Sequence, residues 1–157
     1  MYEFSQLRLT ALNAAYARCI DNDQVEQWPD FFLDKCLYMI TTADNYAAGM
    51  QAGIVYADTR AMLKDRVFAL REANIYEQQR YRHIIGAPLV MEENEYTATV
   101  ESPFIVVRIM RDGTTDVFAT GRYIDRIVHA PETPLKFAER VVVCDSSNID
   151  TLLAIPL

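Results

Sequence analysis

From residue 80 onward the chain is almost entirely β-rich, in four runs at 80–91, 96–110, 115–129 and 135–145. Runs of this length cannot stand as isolated strands, because each would leave a row of unpaired backbone donors and acceptors. They must pair side by side, and the short gaps between them make successive neighbours antiparallel. "RDGT" (111–114) joins the second run to the third, and its Asp112-Gly113 dipeptide predicts a type I′ hairpin turn. "PETP" (131–134) predicts the next turn.

Helical patterns come first in the chain. Residues 3–20 carry Phe4, Leu7, Ala11, Ala14 or Ala15 and Cys19 near the helical period. "DNDQVEQW" restarts helix, with Asp23 and Glu26 spaced as a capping-box-like pair. Pro29 disfavours helix at Trp28. "KCLYMITT" (35–42) and "GIVYAD" (53–58) read as strands, with "ADNYAAGMQAG" between them as a loop. From Thr59, a plausible N-cap, a helix runs to about residue 75 on Met62, Val67 and Leu70. Helices first and a long meander after define an α+β class, with N-terminal helices packed on one face of a curved, mostly antiparallel sheet. Residues 1–157 are expected to form a single domain.

Charge narrows the partners. Fifteen basic against 22 acidic residues give a net charge of −7, which argues against nucleic acid or an anionic membrane as partner. No run of apolar residues is long enough to span a bilayer, and "MYEFSQLRLTALNAAYARC" lacks the apolar centre of a signal peptide, so a cytoplasmic location is expected. Cys19, Cys36 and Cys144 are odd in number and far apart, and are expected as buried thiols.

The chain contains no GxGxxG, GxxxxGK[ST], HExxH or CxxC. Its two histidines are His83, inside "RYRHIIGAP", and His129, expected exposed beside the proline turn. A two-histidine, one-carboxylate iron site would need both. His83 with a nearby carboxylate would suit a general base. The preferred reading is structural, with the ring tying two elements together. Alternation places Tyr81 and His83 on one face and Arg80 and Arg82 on the other.

In the third run Phe118, Thr120, Arg122, Ile124 and Arg126 share a face, opposite Ala119, Gly121, Tyr123, Asp125 and Ile127. The small and aromatic set suits packing under helices. The face that mixes apolar groups with arginines, joined by Arg140 from the next run, suits a subunit interface. An ordinary solvated face is its rival. Arg82, Arg122, Arg126 and Arg140 are the interface candidates. The apolar "TLLAIPL" (151–157) is expected to dock on the protein or on a partner.

"EQWPDFF", "DRVFALREANIYEQQRYRHIIGAP", "FIVVRIMRDGTTDVFATGRYIDRI" and "ERVVVCDSSNIDTLLAIPL" together resemble the small (beta) subunit of aromatic-ring-hydroxylating dioxygenases over essentially the whole chain. Among these it looks most similar to small subunits serving aromatic carboxylates such as terephthalate. The resemblance implies the cone-shaped fold shared with nuclear transport factor 2 and ketosteroid isomerase. It also implies a non-catalytic assembly role in a complex of three large (alpha) and three small subunits, with self-association into a trimer. The Rieske [2Fe-2S] cluster and the mononuclear Fe(II) are then expected on the large subunit, with no catalytic, cofactor or metal residue on this chain. The alternatives are a stand-alone cone-fold isomerase or dehydratase, with an acid–base pair near His83, Tyr38 or Tyr123, and a small-molecule-binding module.

Overall fold

A computed structural model describes residues 3–50, 53–72, 79–148 and 155–157. The first helix, α1 (Gln6–Asp21), starts at Ser5, whose hydroxyl accepts from the Arg8 N–H at 3.3 Å. It buries Leu9, Asn13, Tyr16, Cys19 and Ile20. The predicted stripe is therefore rotated: Leu7 is 80% exposed and Ala11, Ala14 and Ala15 face solvent. Two polar residues won the buried face because both find hydrogen-bond partners inside.

A 3-10 helix (Val25–Phe31) then runs straight through Trp28 and Pro29, against the expected break. Proline only disfavours helical geometry in the residue before it, and the complete burial of Trp28 outweighs that cost. Asp23 does not cap it. Asp23 and Glu26 instead take the Arg71 guanidinium, at 2.9 and 2.5 Å, tying the 3-10 segment to a later helix.

β1 (Phe32–Thr42) leads to a one-turn helix, α2 (Ala43–Ala47), within the expected loop. β2 (Val55–Thr59) precedes α3 (Arg60–Glu72), and the Thr59 hydroxyl accepts from the Met62 N–H at 3.1 Å, as a cap should. α3 buries Leu63, Val67 and Leu70, leaving Met62 outside. The predicted end of this helix, at about residue 75, lies outside the described residues. The run at 80–91 divides into β3 (Gln79–Ile85) and β4 (Leu89–Glu93) around Gly86 and Pro88. β5 (Thr97–Met110), β6 (Thr115–Val128) and β7 (Lys136–Cys144) complete the sheet.

The strand order is β2-β1-β7-β6-β5-β3, with β4 also paired to β5, and all pairs are antiparallel except β1 with β7. The hairpin at Gly113 departs from type I′, which needs positive φ at both central residues. Only Gly113 has it, at 90°. The Gly113 N–H donates to the Met110 carbonyl and the Met110 N–H to the Thr114 carbonyl, both at 2.9 Å. This is a three-residue loop closed by a left-handed glycine.

Register slips in β1, β5–β6 and β6–β7 bend the sheet around the helices. One slip matters for the face assignment. Val106 pairs with Ala119 and Val107 with Val117, so Phe118 is the extra residue of a bulge. It turns inward to stack on Tyr81, with ring centres 5.2 Å apart, and leaves the arginine face predicted for it. The result is a cone: α+β, with α1 and α3 in the concave side and the main core between, while α2 lies against the outer face, where its Tyr46 meets Arg122.

Candidate functional site

The cone interior is built around a cation. Arg140 on β7 lies directly opposite Asp125 on β6, and paired residues of antiparallel strands share a face. Its Nε–H and Nη2–H donate to the two Asp125 oxygens at 2.9 and 2.8 Å, and Nη2–H also donates to Asn13 Oδ1 at 2.6 Å. The guanidinium carbon lies 4.3, 3.9 and 4.0 Å from the ring centres of Tyr16, Tyr123 and Phe137. Arg140 is 0% exposed. Its assignment to a surface interface beside Arg122 is therefore corrected. The register turns it inward, and a buried carboxylate and aromatic walls replace the water it would otherwise need. Burial pushes the Asp125 carboxyl up from its ordinary range, with Arg140 opposing.

Leu157 is fully buried, and its backbone oxygen accepts hydrogen bonds from the Tyr16 and Tyr38 hydroxyls at 2.8 and 2.9 Å. The Leu157 N–H donates to Tyr38 Oη at 3.1 Å, and Trp28 Nε1–H donates to Tyr16 Oη at 3.1 Å. Burial pushes the Tyr16 hydroxyl up to about 12 and the Tyr38 hydroxyl well above its usual value, so both remain donors. Of the apolar tail, residues 151–154 lie outside the described residues. Residues 155–157 dock on the protein itself, with Ile155 packed on the core.

His83 belongs to a separate tie. An aspartate at a helix C-terminus faces the negative end of the dipole and needs donors. Asp21 finds two on β3: the His83 N–H at 2.9 Å and His83 Nδ1 at 2.7 Å. Both side chains are shielded from solvent. The histidine joins helix to strand, as the structural reading expected. His129 is not free at the surface either; its Nε2 sits 3.1 Å from Glu3 Oε2 and its side chain is largely covered.

The other three candidate arginines point outward. Arg122 donates to Glu101 Oε1 at 3.0 Å and covers the Tyr46 ring at 5.6 Å, and Arg126 is 3.9 Å from Glu139. Arg82 is exposed, 3.9 Å from Asp21. Beside them on the outer sheet face stand Ile84 and its partner Ile105, with Val117 paired to Val107; Ile84, Ile105 and Val117 are exposed. Sequence alternation placed Arg82, Arg122 and Arg126 on one side of their strands, and the structure turns that side outward. Alternation missed the Tyr16–Tyr38–Leu157 contact, which no local spacing encodes.

Among the described residues no three His, Cys, Asp or Glu side chains gather as a metal site. His83 and His129 each face a carboxylate of a different element, Asp21 and Glu3. That donor set does not fit an iron ion or an iron–sulfur cluster. No helix among the described residues is long and apolar enough to cross a membrane. Cys19, Cys36 and Cys144 are free and buried.

A protein-family model described as the ring hydroxylating beta subunit matches residues 15–151. The chain is 49% identical to the beta 1 subunit of the terminal oxygenase component of terephthalate 1,2-dioxygenase from Comamonas sp, covering 98% of this chain and 99% of that one. It is 36% identical to the anthranilate 1,2-dioxygenase small subunit of Burkholderia cepacia, over 93% of this chain and 90% of that one. A crystal structure from Novosphingobium aromaticivorans, assigned to an aromatic-ring-hydroxylating dioxygenase beta subunit, superposes with a TM-score of 0.89 at 36% identity, covering 97% and 96% of the two chains. The benzoate 1,2-dioxygenase beta subunit of Burkholderia mallei, at 18% identity, TM-score 0.79 and coverage of 99% and 100%, shares the fold.

Proposed function

The chain belongs to the beta-subunit family of aromatic-ring-hydroxylating dioxygenases and is a component of such an oxygenase, and from that premise we propose that its own task is assembly. Its partner is a large oxygenase subunit, three large with three small, and the complex acts in the cytoplasm on an aromatic carboxylate of the terephthalate kind. The Rieske cluster and mononuclear iron belong to the large subunit and supply the oxygen chemistry there. This chain holds the large subunits in register. The small subunits meet through the outer sheet face of Arg82, Arg122, Arg126, Ile84, Ile105 and Val117, an apolar surface with arginines at its margin.

The observation that carries this reading is the cone interior as its described residues fill it. The space in which an isomerase or dehydratase would hold its acid–base pair is occupied by Arg140, Asp125, three tyrosines and Leu157.

The test is co-expression with the large subunit, followed by light scattering of the purified complex. Arg122→Glu with Val117→Lys is expected to leave this chain folded while the complex falls to smaller species. An unchanged complex mass would remove the outer face from the interface. Stoichiometric iron in the isolated chain would overturn the assembly role itself.

A further inference from the structure

Two phenol hydroxyls converging on one oxygen form an unusual acceptor seat for a chain segment. Tyr16 and Tyr38 lie on different elements, α1 and β1, yet both donate to the Leu157 oxygen within 2.9 Å. Trp28 Nε1–H, 3.1 Å from Tyr16 Oη, orients that hydroxyl and strengthens its donation. Around them the walls are aromatic and edge-on: Trp28 to Tyr38 at 5.0 Å, Trp28 to Phe32 at 5.8 Å and Tyr16 to Phe137 at 5.7 Å. Two further buried donors of the same interior, Tyr123 Oη and Arg140 Nη1, have no hydrogen-bond partner among the described residues. Among the described residues, the acceptor that both tyrosine hydroxyls reach is the backbone oxygen of a leucine.

We infer that the Tyr16–Tyr38 pair is a binding seat for a small apolar molecule bearing an oxyanion, and that residues 155–157 occupy it as an internal stand-in. Leu157 shows which ligand chemistry fits: an oxygen acceptor at the two hydroxyls and an apolar body among the rings. A ligand that gains the seat displaces the tail, so the tail acts as a tethered competitor. Tethering raises its effective concentration to about the millimolar range, which masks the seat in the full chain. The inference rests on the same filled interior that supports the assembly role, but its test reads only the concave side: loss of the seat would leave the outer-face contacts, and so the assembly reading, unchanged.

The probe is 4-nitrophenolate, whose absorbance changes when its oxygen leaves water for hydrogen-bond donors in an apolar site. A chain ending at residue 154 is expected to bind it about tenfold or more tightly than the full chain. Adding Tyr16→Phe and Tyr38→Phe to the shortened chain should cancel that gain. Equal affinity of the full and shortened chains, both with native circular dichroism, would overturn the proposal. Undiminished binding by the double phenylalanine variant would do the same. Should the shortened chain not fold, methyl NMR of the unmodified full chain decides. Saturating 4-nitrophenolate is expected to move the Ile155 and Leu157 methyl signals toward solvent-exposed positions, and unmoved signals would reject the seat.

Discussion

Asp125 and Arg140 face each other across β6 and β7, joined by hydrogen bonds of 2.9 and 2.8 Å with neither side chain reaching solvent. Removing one partner strands the other's charge in the core. Asp125→Ala is expected to cost about 3–5 kcal/mol, read as a lower urea midpoint. Replacing both, Arg140→Met with Asp125→Leu, should recover most of that loss, since a well-packed apolar pair avoids the desolvation the ions suffer. A double variant as unstable as Asp125→Ala would mean that the aromatic contacts to Arg140, not the ion pair, dominate.

The Asp21 carboxylate is the polar link between the end of α1 and β3, through both donors of His83. Asp21→Ala is expected to cost about 1.5–3 kcal/mol, because it leaves two buried donors without an acceptor. His83→Ala keeps the backbone bond. Amide hydrogen exchange at position 83 should therefore accelerate in the first variant and stay slow in the second.

Gly121 of β6 sits hard against the β7 backbone. A Cβ there would lie 2.0 Å from the Val143 carbonyl oxygen, which is backbone and cannot step aside. Gly121→Ala is expected to destabilise by on the order of 2–4 kcal/mol by prising the two strands apart. Thermal melts of the purified chain would check it, and a variant of native stability would contradict the tight approach.

Hydrogen bonding from Arg71 holds the Glu26 carboxyl below its usual range. The sign follows from linkage. Stability from this pair is complete above the ordinary glutamate value and disappears as pH falls through the lowered value of the folded chain. Arg71→Gln should flatten the acid limb of a stability-against-pH curve while changing little near neutrality beyond a uniform offset. Because both groups are solvent-accessible, salt should shrink the effect.

Much of the fold was legible because it is local. The period of α3, the Thr59 cap, the alternation of Tyr81 and His83, and a turn at Gly113 depend on residues within a few positions of one another. The errors fall where distant contacts outvote local pattern. Leu7 fitted the helical period of α1, but Asn13 and Tyr16 took the inner face because Ser102, Arg140 and Leu157 offered them partners. Phe118 fitted the alternation of β6, but one extra residue in the ladder turned it to the other side. The type I′ turn failed for want of a positive φ at Asp112, leaving the glycine alone to carry the left-handed step.

By itself the sequence determined the α+β order, the edges of most strands and the family, since each is written in neighbouring residues or in short contiguous segments. Tertiary structure alone decided that Arg140 lies inside and Arg122 outside. Alternation states which residues share a face of a strand but not which face is buried, and an isolated arginine reads as solvated. Only when Asp125 arrives from across the sheet and Asn13 from the first helix does a buried guanidinium find the acceptors that replace its water.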